Sequence, residues 1–306
     1  MAKKIFVGNY KGGVGKTTTI YQLALHMAEE NKKVLLIDLD PQCSLSEICL
    51  AKMERLLSDL SPPESLNYIY DIWSQTKHFP TVRLTFDTTL LIKRLTTHID
   101  FIPSNIHYRN GGLDQLAMNL NSDLDDLIIL QQFFESTQID EEYDYILFDC
   151  PPSNTIITQG AFLLSDYFII PTVIQTMSVR GVAHYISTVE TIYQKYCMDH
   201  SQAMLAQALF GPEPKLIGII ETMNRPIVNY EVEFELLRSA LEEKKIKTLI
   251  SEKSPGNHIL SSKIRNLESI ARDTAKGVKN PEFSLLTVEI LSCLTETQQD
   301  RGVFHV

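Results

Sequence analysis

The sequence predicts an α/β fold, with one doubly wound, mostly parallel sheet and helices on both faces. Apolar, β-forming runs alternate with helical patterns along most of the 306 residues, an order typical of parallel α/β sheets. The run at 33–40 is apolar almost throughout, as expected of a strand covered on both faces. A Gly-rich loop joins the first strand, near 5–8, to a helical pattern at 17–31, which is the context that a phosphate-binding loop requires.

The Gly-rich stretch from Lys11 to Thr18 reads KGGVGKTT. Its glycines let consecutive backbone N–H groups converge on phosphate oxygens, and a helix N-terminus favours negative charge. Lys16 can then reach the β- and γ-phosphates, and the Thr17 hydroxyl is placed to ligate Mg²⁺. A chance Gly-rich turn is the alternative, but the eight-residue pattern is far more specific than a single short glycine motif. The predicted nucleotide-binding residues here are Gly12, Gly13, Val14, Gly15, Lys16, Thr17 and Thr18.

Two carboxylates end the second strand, in the run Asp38-Leu39-Asp40-Pro41-Gln42. They are two positions apart, so they share one side of an extended strand. Beside a phosphate site, one carboxylate can orient an attacking water and the other can hold Mg²⁺ through its waters. A polar strand end that caps the following helix is the alternative interpretation.

Residues 50–98 are the least regular part of the chain, and we interpret them as an elaboration between the second and third strands. Because no repeat or low-complexity linker divides the sequence, a single domain is predicted over 1–306. The later strands are predicted at 99–103, 145–149, 167–170 and 216–220, with a weaker one at 248–250; the later helices are predicted at 113–136, 154–164, 178–197, 229–243 and, at the C-terminus, 281–298.

Asp149 closes the apolar run 145–148 and is followed by Cys150, two prolines and a serine. A carboxylate at the end of a hydrophobic strand is typical of a Walker B motif, which fixes Mg²⁺ directly or through water. A strand-terminal turn aspartate is the alternative. No suitable second cysteine accompanies Cys150, which favours a buried thiol over a redox or cluster ligand.

An ordinary P-loop needs no lysine at its first position, where this chain has Lys11. KGGVGKTT resembles the deviant Walker A box of the ParA/MinD ATPases, a group of deviant P-loop NTPases. DLDPQ at 38–42 resembles the switch I box of the ParA proteins, and FDCPPS at 148–153 matches the family well. The resemblance covers approximately residues 3–50 and 99–280, and it is weaker after 210.

The resemblance implies ATP and Mg²⁺ as cofactors, slow ATP hydrolysis and an ATP-dependent homodimer in which Lys11 reaches the partner's nucleotide. It implies that Asp40 activates water and that Asp38 belongs to the outer shell of a metal held by Thr17 and Asp149. The best-known members bind nonspecific DNA as ATP dimers and segregate plasmids or chromosomes. A centromere-binding, ParB-like partner then stimulates hydrolysis and releases them.

Two later segments carry the resemblance less evenly. The segment at 170–182 is similar to the family's, except that Gln175 stands where a glutamate is usual. TMNRP at 222–226 is similar to the adenine-side loop, where the Asn224 amide can both donate to and accept from an adenine edge. A helix N-terminal turn is the alternative for this second segment.

A formal net charge of −10 argues against a broadly basic nucleic-acid binder. The segment 238–279 is locally basic, with ten lysines and arginines against five acidic residues. Such a patch can bind DNA phosphates without sequence preference, although a solvated helical surface is the alternative. In the family, DNA-contacting arginines lie near positions that Ile227 and Pro255 occupy here. The DNA-binding candidates are Arg225, Lys253, Lys263 and Arg265.

Other functions of the same ATPase core are less favoured. A MinD-like membrane factor needs a basic amphipathic C-terminal helix, but residues 284–306 hold a single basic residue, Arg301. A metabolic or redox relative lacks its paired cysteine ligands, because the five cysteines form no CxxC pair. A ParA-like ATPase that positions a protein cargo, or regulates another process, stays open as the alternative.

The composition is ordinary for a globular protein, with 44% hydrophobic and 22% charged residues. The chain enters a strand almost at once, which indicates no signal peptide. No apolar run approaches the ~18 residues of a membrane span. We therefore expect a cytoplasmic protein without membrane contact, nucleoid-associated when ATP-bound. A P-loop that starts at residue 11 makes the chain similar to the short ParA proteins, which have no N-terminal operator-binding domain.

Overall fold

A seven-stranded sheet forms the middle layer of the computed structural model, with strand order β3-β4-β2-β5-β1-β6-β7. The structure describes residues 1–77, 84–225, 230–266 and 268–296, and for 176–180 and 296 the backbone only. The short β3 at one edge is antiparallel to β4, and the other pairings are parallel. The strands are β1 Lys3–Val7, β2 Val34–Asp38, β3 Lys93–Arg94, β4 Ile99–Ile102, β5 Tyr145–Asp149, β6 Tyr167–Thr172 and β7 Lys215–Glu221.

Helices cover both faces of this sheet. Their bounds are α1 Lys16–Glu29, α2 Ser44–Lys52, α3 Asn67–Thr76, α4 Thr88–Leu91, α5 Leu113–Met118, α6 Leu124–Leu127, α7 Ile129–Thr137, α8 Ile156–Leu164, α9 Thr176–Tyr193, α10 Ala203–Phe210, α11 Glu231–Glu243, α12 Leu249–Lys253, α13 Glu268–Ala275 and α14 Ser284–Glu296. A π-helical turn, Gln194–Met198, continues α9.

The sheet separates two hydrophobic cores. Helices α1, α2 and α12 to α14 contribute to one core, and helices α3 to α11 contribute to the other. Along β1 the side chains alternate between them, with Ile5 and Val7 in the first core and Phe6 in the second. This arrangement confirms the predicted doubly wound, mostly parallel sheet, because apolar strands need cover on both faces.

The weak strand predicted at 248–250 is wrong. Thr248 is instead the N-cap of α12, since its hydroxyl accepts a hydrogen bond from the Ser251 amide at 2.9 Å. The segment beside β7 lies further along the chain, where Ile259 forms an isolated parallel bridge with Ile219. A side-chain cap therefore overrides the β propensity of the short Thr-Leu-Ile run.

The helix predicted at 113–136 is three helices, α5, α6 and α7. Asp123 explains the break before α6, because its carboxylate accepts a hydrogen bond from the Asp126 amide at 3.1 Å and starts a new helix. The predicted helices at 17–31, 154–164, 178–197 and 229–243 correspond to α1, α8, α9 and α11, apart from residue 229, which lies outside the described residues.

The predicted elaboration at 50–98 contains α3, α4 and the antiparallel strand β3. The C-terminal helix predicted at 281–298 is observed as α14 after a 3-10 turn at Pro281–Phe283, and 297–298 lie outside the described residues. All five cysteines are buried free thiols, as the sequence indicated for Cys150. Among the described residues, none of the helices has the length and apolarity to cross a membrane.

Candidate functional site

Three strand ends meet at the carboxyl edge of the sheet, where the predicted site residues lie. Strand β5 lies between β1 and β2, and Asp149 is in register with Val7 on one side and Asp38 on the other. Val7 is the last residue of β1, and the chain continues from it into the Gly-rich loop. Parallel pairing therefore places both predicted metal-site carboxylates beside the Gly-rich loop, at the edge where open α/β sheets bind ligands.

The Gly-rich loop has the backbone conformation that its glycines permit. Gly13 and Gly15 have φ angles of 70° and 82°, in the left-handed region that residues with a Cβ rarely adopt. Gly15 is also the N-cap of α1, whose first residues are Lys16, Thr17 and Thr18. The backbone amides at the start of α1 therefore border the loop, as an anion site requires.

Lys16 is buried, and its ammonium lies within its own loop. Its Nζ is 3.3 Å from the carbonyl oxygen of Asn9 and 3.4 Å from that of Lys11. Burial lowers the pKa of Lys16, and the nearby charges of Asp149 and Asp40 oppose this shift. An anionic ligand would supply charge that compensates for the buried ammonium.

Asp149 is fully buried, and neither of its carboxylate oxygens has a hydrogen-bond partner in the described part of the chain. Burial and then repulsion from Asp38 raise the pKa of Asp149 well above its usual range. The Thr17 hydroxyl, which is near Asp149 but outside hydrogen-bond geometry, and the Lys16 ammonium oppose the shift. Buried carboxylates without partners are costly, so this one is suited to a cation or a metal-bound water.

Asp38 is also buried, but its oxygens are satisfied. Its Oδ2 accepts hydrogen bonds from the Ser46 amide at 2.8 Å and the Ser46 hydroxyl at 2.6 Å, and its Oδ1 accepts one from the Asp40 amide at 3.0 Å. Burial raises the pKa of Asp38 to about 6, against the effect of these hydrogen bonds. Asp38 thus organises the loop that carries Asp40.

Asp40 begins the turn that leads into α2 and is partly exposed. Its Oδ1 accepts a hydrogen bond from the Gln42 amide at 2.9 Å, and its backbone oxygen accepts one from the Ser104 hydroxyl at 3.2 Å. The second carboxylate oxygen is left to face a ligand or a water. Asp40 therefore lies close to Asp38 but is less buried. Its predicted role in activating water stays a prediction.

Two polar contacts hold the Gly-rich loop to neighbouring strands. The Asn9 side chain donates a hydrogen bond to the Pro171 carbonyl at 2.8 Å, joining the start of the loop to β6. The Thr222 hydroxyl donates one to the Val14 carbonyl at 2.8 Å, joining the middle of the loop to the segment after β7. The loop is therefore held in position by strands on the side away from β5.

Asn224 follows β7 and is held on three sides. Its backbone N–H donates a hydrogen bond to the Ile264 carbonyl, and its backbone carbonyl accepts one from the Asn266 N–H. Its side-chain Nδ2 donates to Glu221 Oε1 at 2.5 Å. The loop predicted to meet adenine is thus bonded to the segment that contains Ile264 and Asn266. The sequence did not indicate this connection.

The Lys11 ammonium donates a hydrogen bond to Gln175 Oε1 at 3.3 Å, and both side chains are exposed. Gln175 is the N-cap residue of α9. The residue that departs from the family pattern therefore contacts the lysine that defines the family.

The four predicted DNA contacts fall into two pairs. Lys263 forms an ion pair with Glu221 at 3.0 Å, and Arg265 forms a bidentate ion pair with Glu282. Arg225 and Lys253 are exposed, while Ile227 lies outside the described residues. Because Lys263 and Arg265 are paired with carboxylates, these two are less available for DNA than the exposed Arg225. DNA contact by any of the four stays a prediction.

Of the site residues, the sequence pointed to those in motifs and missed those that support them. Asn9, Ser46, Ser104 and Thr222 each hold a motif residue through one hydrogen bond or two. Asn9 lies two residues before the Gly-rich stretch, and Thr222 is the first residue of the TMNRP segment. Neither was predicted to hold the loop. Ser46 and Ser104 carry no sequence signal, because their partners are set by chain folding.

A family model described as an AAA domain matches residues 2–202. The chain belongs to this family, AAA_31. The predicted ParA/MinD relationship is confirmed, since the relatives of this AAA_31 chain include proteins named Soj and its structural neighbours include ParA.

Two curated relatives illustrate the relationship. The sporulation initiation inhibitor protein Soj of Bacillus subtilis is 29% identical over 196 residues, which are 63% of this chain and 66% of that protein. The chromosome-partitioning ATPase Soj of Thermus thermophilus is 27% identical over 253 residues, which are 81% of this chain and 80% of that protein.

Three solved structures share the fold of this AAA_31 chain, with 20–22% sequence identity. Cobyrinic acid a,c-diamide synthase of Mycobacterium smegmatis, with ADP and magnesium, has a TM-score of 0.64. The alignment spans 95% of this chain and 96% of that protein. A proposed plasmid partition protein of Borrelia burgdorferi, bound to AMPPNP, has a TM-score of 0.63. The alignment spans 97% of this chain and 100% of that protein. The ParA of pNOB8, bound to nonspecific DNA, has a TM-score of 0.58. The alignment spans 97% of this chain and 99% of that protein.

Proposed function

We propose that this chain is a ParA-type ATPase that partitions plasmid or chromosomal DNA, using ATP and Mg²⁺ as cofactors. The observation that carries the proposal is the buried, unpartnered carboxylate of Asp149 beside the Gly-rich loop. A phosphate-binding loop next to an uncompensated buried carboxylate fits a nucleotide with its metal better than either ligand alone. Structural neighbours with bound ADP and magnesium and with bound AMPPNP support it.

The donors around Asp149 fit Mg²⁺ in the way that nucleotide-binding enzymes hold it. Among the described residues no group of three acidic, histidine or cysteine side chains could hold a metal ion. Mg²⁺ commonly takes one or two protein oxygens and fills its other positions with water and substrate phosphates. The Thr17 hydroxyl and Asp149 would hold it, with Asp38 in the outer shell. When bound, Mg²⁺ neutralises charge on the phosphates.

Hydrolysis would depend on Asp40. The backbone amides of residues 12–18 and the Lys16 ammonium bind the phosphates. The ammonium has three N–H donors, and two of them are directed at the Asn9 and Lys11 carbonyls. Asp40, with one carboxylate oxygen engaged by Gln42, orients the attacking water with the other. Positioning and charge stabilisation account for most catalysis in phosphoryl transfer.

Two ATP-bound copies would form a sandwich dimer in which Lys11 acts on the partner's nucleotide. Lys11 is exposed at the mouth of the loop, where a second copy can approach. The net charge of −10 per chain opposes DNA binding by a monomer. The dimer would bind nonspecific DNA, because two copies of a local basic surface on one duplex double the number of phosphate contacts. The DNA-bound pNOB8 ParA supports this step.

A ParB-like centromere-binding protein would stimulate hydrolysis and release the dimer from DNA. The protein would then be cytoplasmic, and nucleoid-associated in its ATP state. The alternative is a ParA-like ATPase that positions a protein cargo without DNA.

The ATPase is tested with Lys16→Ala and Asp40→Ala. Lys16→Ala should abolish useful nucleotide binding, whereas Asp40→Ala should bind ATP and hydrolyse it much more slowly, measured by phosphate release. Light scattering on Asp40→Ala should show a dimer with ATP and a monomer with ADP. Normal turnover by Asp40→Ala would remove Asp40 from its role, and a dimer indifferent to nucleotide and to Lys11→Ala would refute the sandwich.

DNA binding is tested by retardation of unrelated duplexes with ATP and with ADP. Six phosphate contacts per dimer would give a log–log salt slope of roughly −5. Binding should differ little between duplexes, because phosphate contacts carry no base information. If no duplex is retarded at low salt with ATP while hydrolysis proceeds, the cargo-positioning ATPase becomes the better account.

A further inference from the structure

Glu221 is a buried carboxylate at the end of β7, 1% exposed, beside the loop predicted to meet adenine. Its Oε1 accepts the hydrogen bond from Asn224 Nδ2 at 2.5 Å. Its Oε2 is 3.0 Å from the Lys263 ammonium, in an ion pair that lacks hydrogen-bond alignment. Each oxygen of Glu221 therefore faces one partner, an amide on one side and a cation on the other.

Lys263 is held where it can balance this charge. Its ammonium lies 4.6 Å from the centroid of the Phe234 ring on α11, in addition to the ion pair with Glu221. A cation beside a buried carboxylate compensates for a charge that burial would otherwise leave isolated. Lys263 thus supports the carboxylate that accepts the hydrogen bond from Asn224.

The orientation of the Asn224 amide follows from these contacts. A carboxylate only accepts hydrogen bonds, so the side-chain NH₂ of Asn224 must face Glu221. Its backbone is bound to Ile264 and Asn266 on both sides, which prevents the residue from turning as a whole. The carbonyl oxygen Oδ1 is consequently the end of the amide that a ligand can meet.

Asn224 and Lys263 border an open groove of about 550 Å³. The aromatic and aliphatic side chains of Tyr230, Phe234, Ile259 and Leu260 contribute to its lining. The other lining side chains are polar or charged, so the groove offers a nucleobase both apolar surface and hydrogen-bonding groups. The groove gives a nucleobase room to reach Oδ1.

We propose that Glu221, held by Lys263, is a positioning residue that makes this site select adenine over guanine. The inference rests on the proposed ATP site. Adenine carries an amino group at the position where guanine carries a carbonyl oxygen. A fixed Asn224 Oδ1 accepts a hydrogen bond from the adenine amine but opposes the guanine oxygen, acceptor against acceptor. Repulsion of the wrong base is an effective source of specificity.

The central test is Glu221→Gln, which keeps the side-chain volume. A glutamine amide can donate as well as accept, so it permits Asn224 to present either end. The ratio of GTP to ATP dissociation constants should fall about tenfold, the effect of losing roughly 1.4 kcal/mol of discrimination. Both constants are measured by displacement of a fluorescent nucleotide with Mg²⁺. Weaker ATP binding should be accompanied by stronger GTP binding, which simple structural damage would not produce.

Lys263→Met should lower the same ratio, because it removes the cation that compensates for the buried Glu221 carboxylate and so weakens the hold of Glu221 on Asn224. Lys215→Met is the matched control, since Lys215 is exposed at the opposite end of β7 and should leave the ratio unchanged. Asn224→Ala should abolish the preference, and adding Glu221→Gln to Asn224→Ala should then change nothing. This lack of additivity is expected if Glu221 acts through Asn224.

Four outcomes would overturn the inference. They are a wild-type protein that binds GTP as well as ATP, a ratio unchanged in Glu221→Gln, equal losses of both nucleotides, and effects of Glu221 and Asn224 that simply add. If wild-type protein binds no nucleotide at all, the proposed function itself fails, and the two failures are thereby distinguished.

Discussion

The hydroxyl of Thr222 donates a hydrogen bond of 2.8 Å to the carbonyl oxygen of Val14, and both residues are buried. This bond joins two segments separated by about two thirds of the chain, the Gly-rich loop and the loop after β7. The first is predicted to hold phosphates and the second to meet adenine. This contact therefore helps to fix the two predicted halves of the nucleotide site relative to each other.

Thr222→Val keeps the side-chain shape and removes this donor, which leaves the buried Val14 carbonyl without it. A buried acceptor left unsatisfied costs about 1–3 kcal/mol, so we expect a lower melting temperature and ATP affinity reduced about tenfold. Calorimetric titration with ATP measures the affinity. Thr222→Ser retains the hydroxyl and should bind nearly as wild type. Equal affinities for all three proteins would contradict a positioning role.

Gln175→Glu places a carboxylate beside the Lys11 ammonium, 3.3 Å from the present amide oxygen. An exposed ion pair contributes about 0.2–1 kcal/mol, so it should hold Lys11 within its own protomer and weaken ATP-dependent dimerisation by up to about fivefold. Light scattering in the Asp40→Ala background measures this at low salt. The weakening should fade as salt rises. Gln175→Ala, which adds no charge, should show no salt-dependent weakening.

Asp149→Asn should stabilise the protein in the absence of nucleotide and Mg²⁺. A carboxyl whose pKa is higher in the folded than in the unfolded chain stabilises the fold at low pH, and this contribution is lost as pH rises through the folded pKa. Burial raises the pKa of both Asp149 and Asp38, the latter to about 6. Wild-type stability should therefore decline from about pH 4, the ordinary aspartate pKa, through pH 6 and above.

Asp149→Asn should flatten that decline and gain at least about 1 kcal/mol at pH 7.5, the scale of removing an uncompensated buried charge. Urea unfolding at several pH values measures it. Glu135→Gln, at an exposed position of α7, serves as the control and should keep the wild-type slope. A variant that is less stable than wild type at pH 7.5 would show that Asp149 is compensated within the chain.

Arg225→Ala and Lys253→Ala should each weaken DNA binding with ATP by removing one phosphate contact per protomer. Two contacts per dimer correspond to a change of about 2 in the log–log salt slope. Arg265→Ala should change the slope less than Arg225→Ala, because Arg265 is paired with Glu282. Fluorescence anisotropy over a salt series measures the slopes, with ATP turnover as the check on folding. The reverse ranking would assign the DNA surface to Arg265 instead.

The sequence by itself predicted the Gly-rich loop and the two carboxylates that parallel pairing places beside it. KGGVGKTT, DLDPQ and FDCPPS are local patterns, and each follows an apolar strand whose ends parallel pairing brings to one edge. The alternation of strands and helices likewise predicted the sheet. The prediction failed at 248–250, where a short β-forming run is helical instead. A side-chain hydrogen bond at the Thr248 cap starts a helix there.

Only the tertiary structure decided which side chains support those motifs. Glu221 and Lys263 are 42 positions apart in the sequence, and Val14 and Thr222 are much further apart. No spacing or periodicity marks such pairs, because the packing of segments beside β7 sets their distance. The same packing pairs Lys263 and Arg265 with carboxylates, although composition alone had placed both on a basic surface. Chemistry carried by consecutive residues can be predicted from the sequence, whereas chemistry shared between distant segments depends on how they pack.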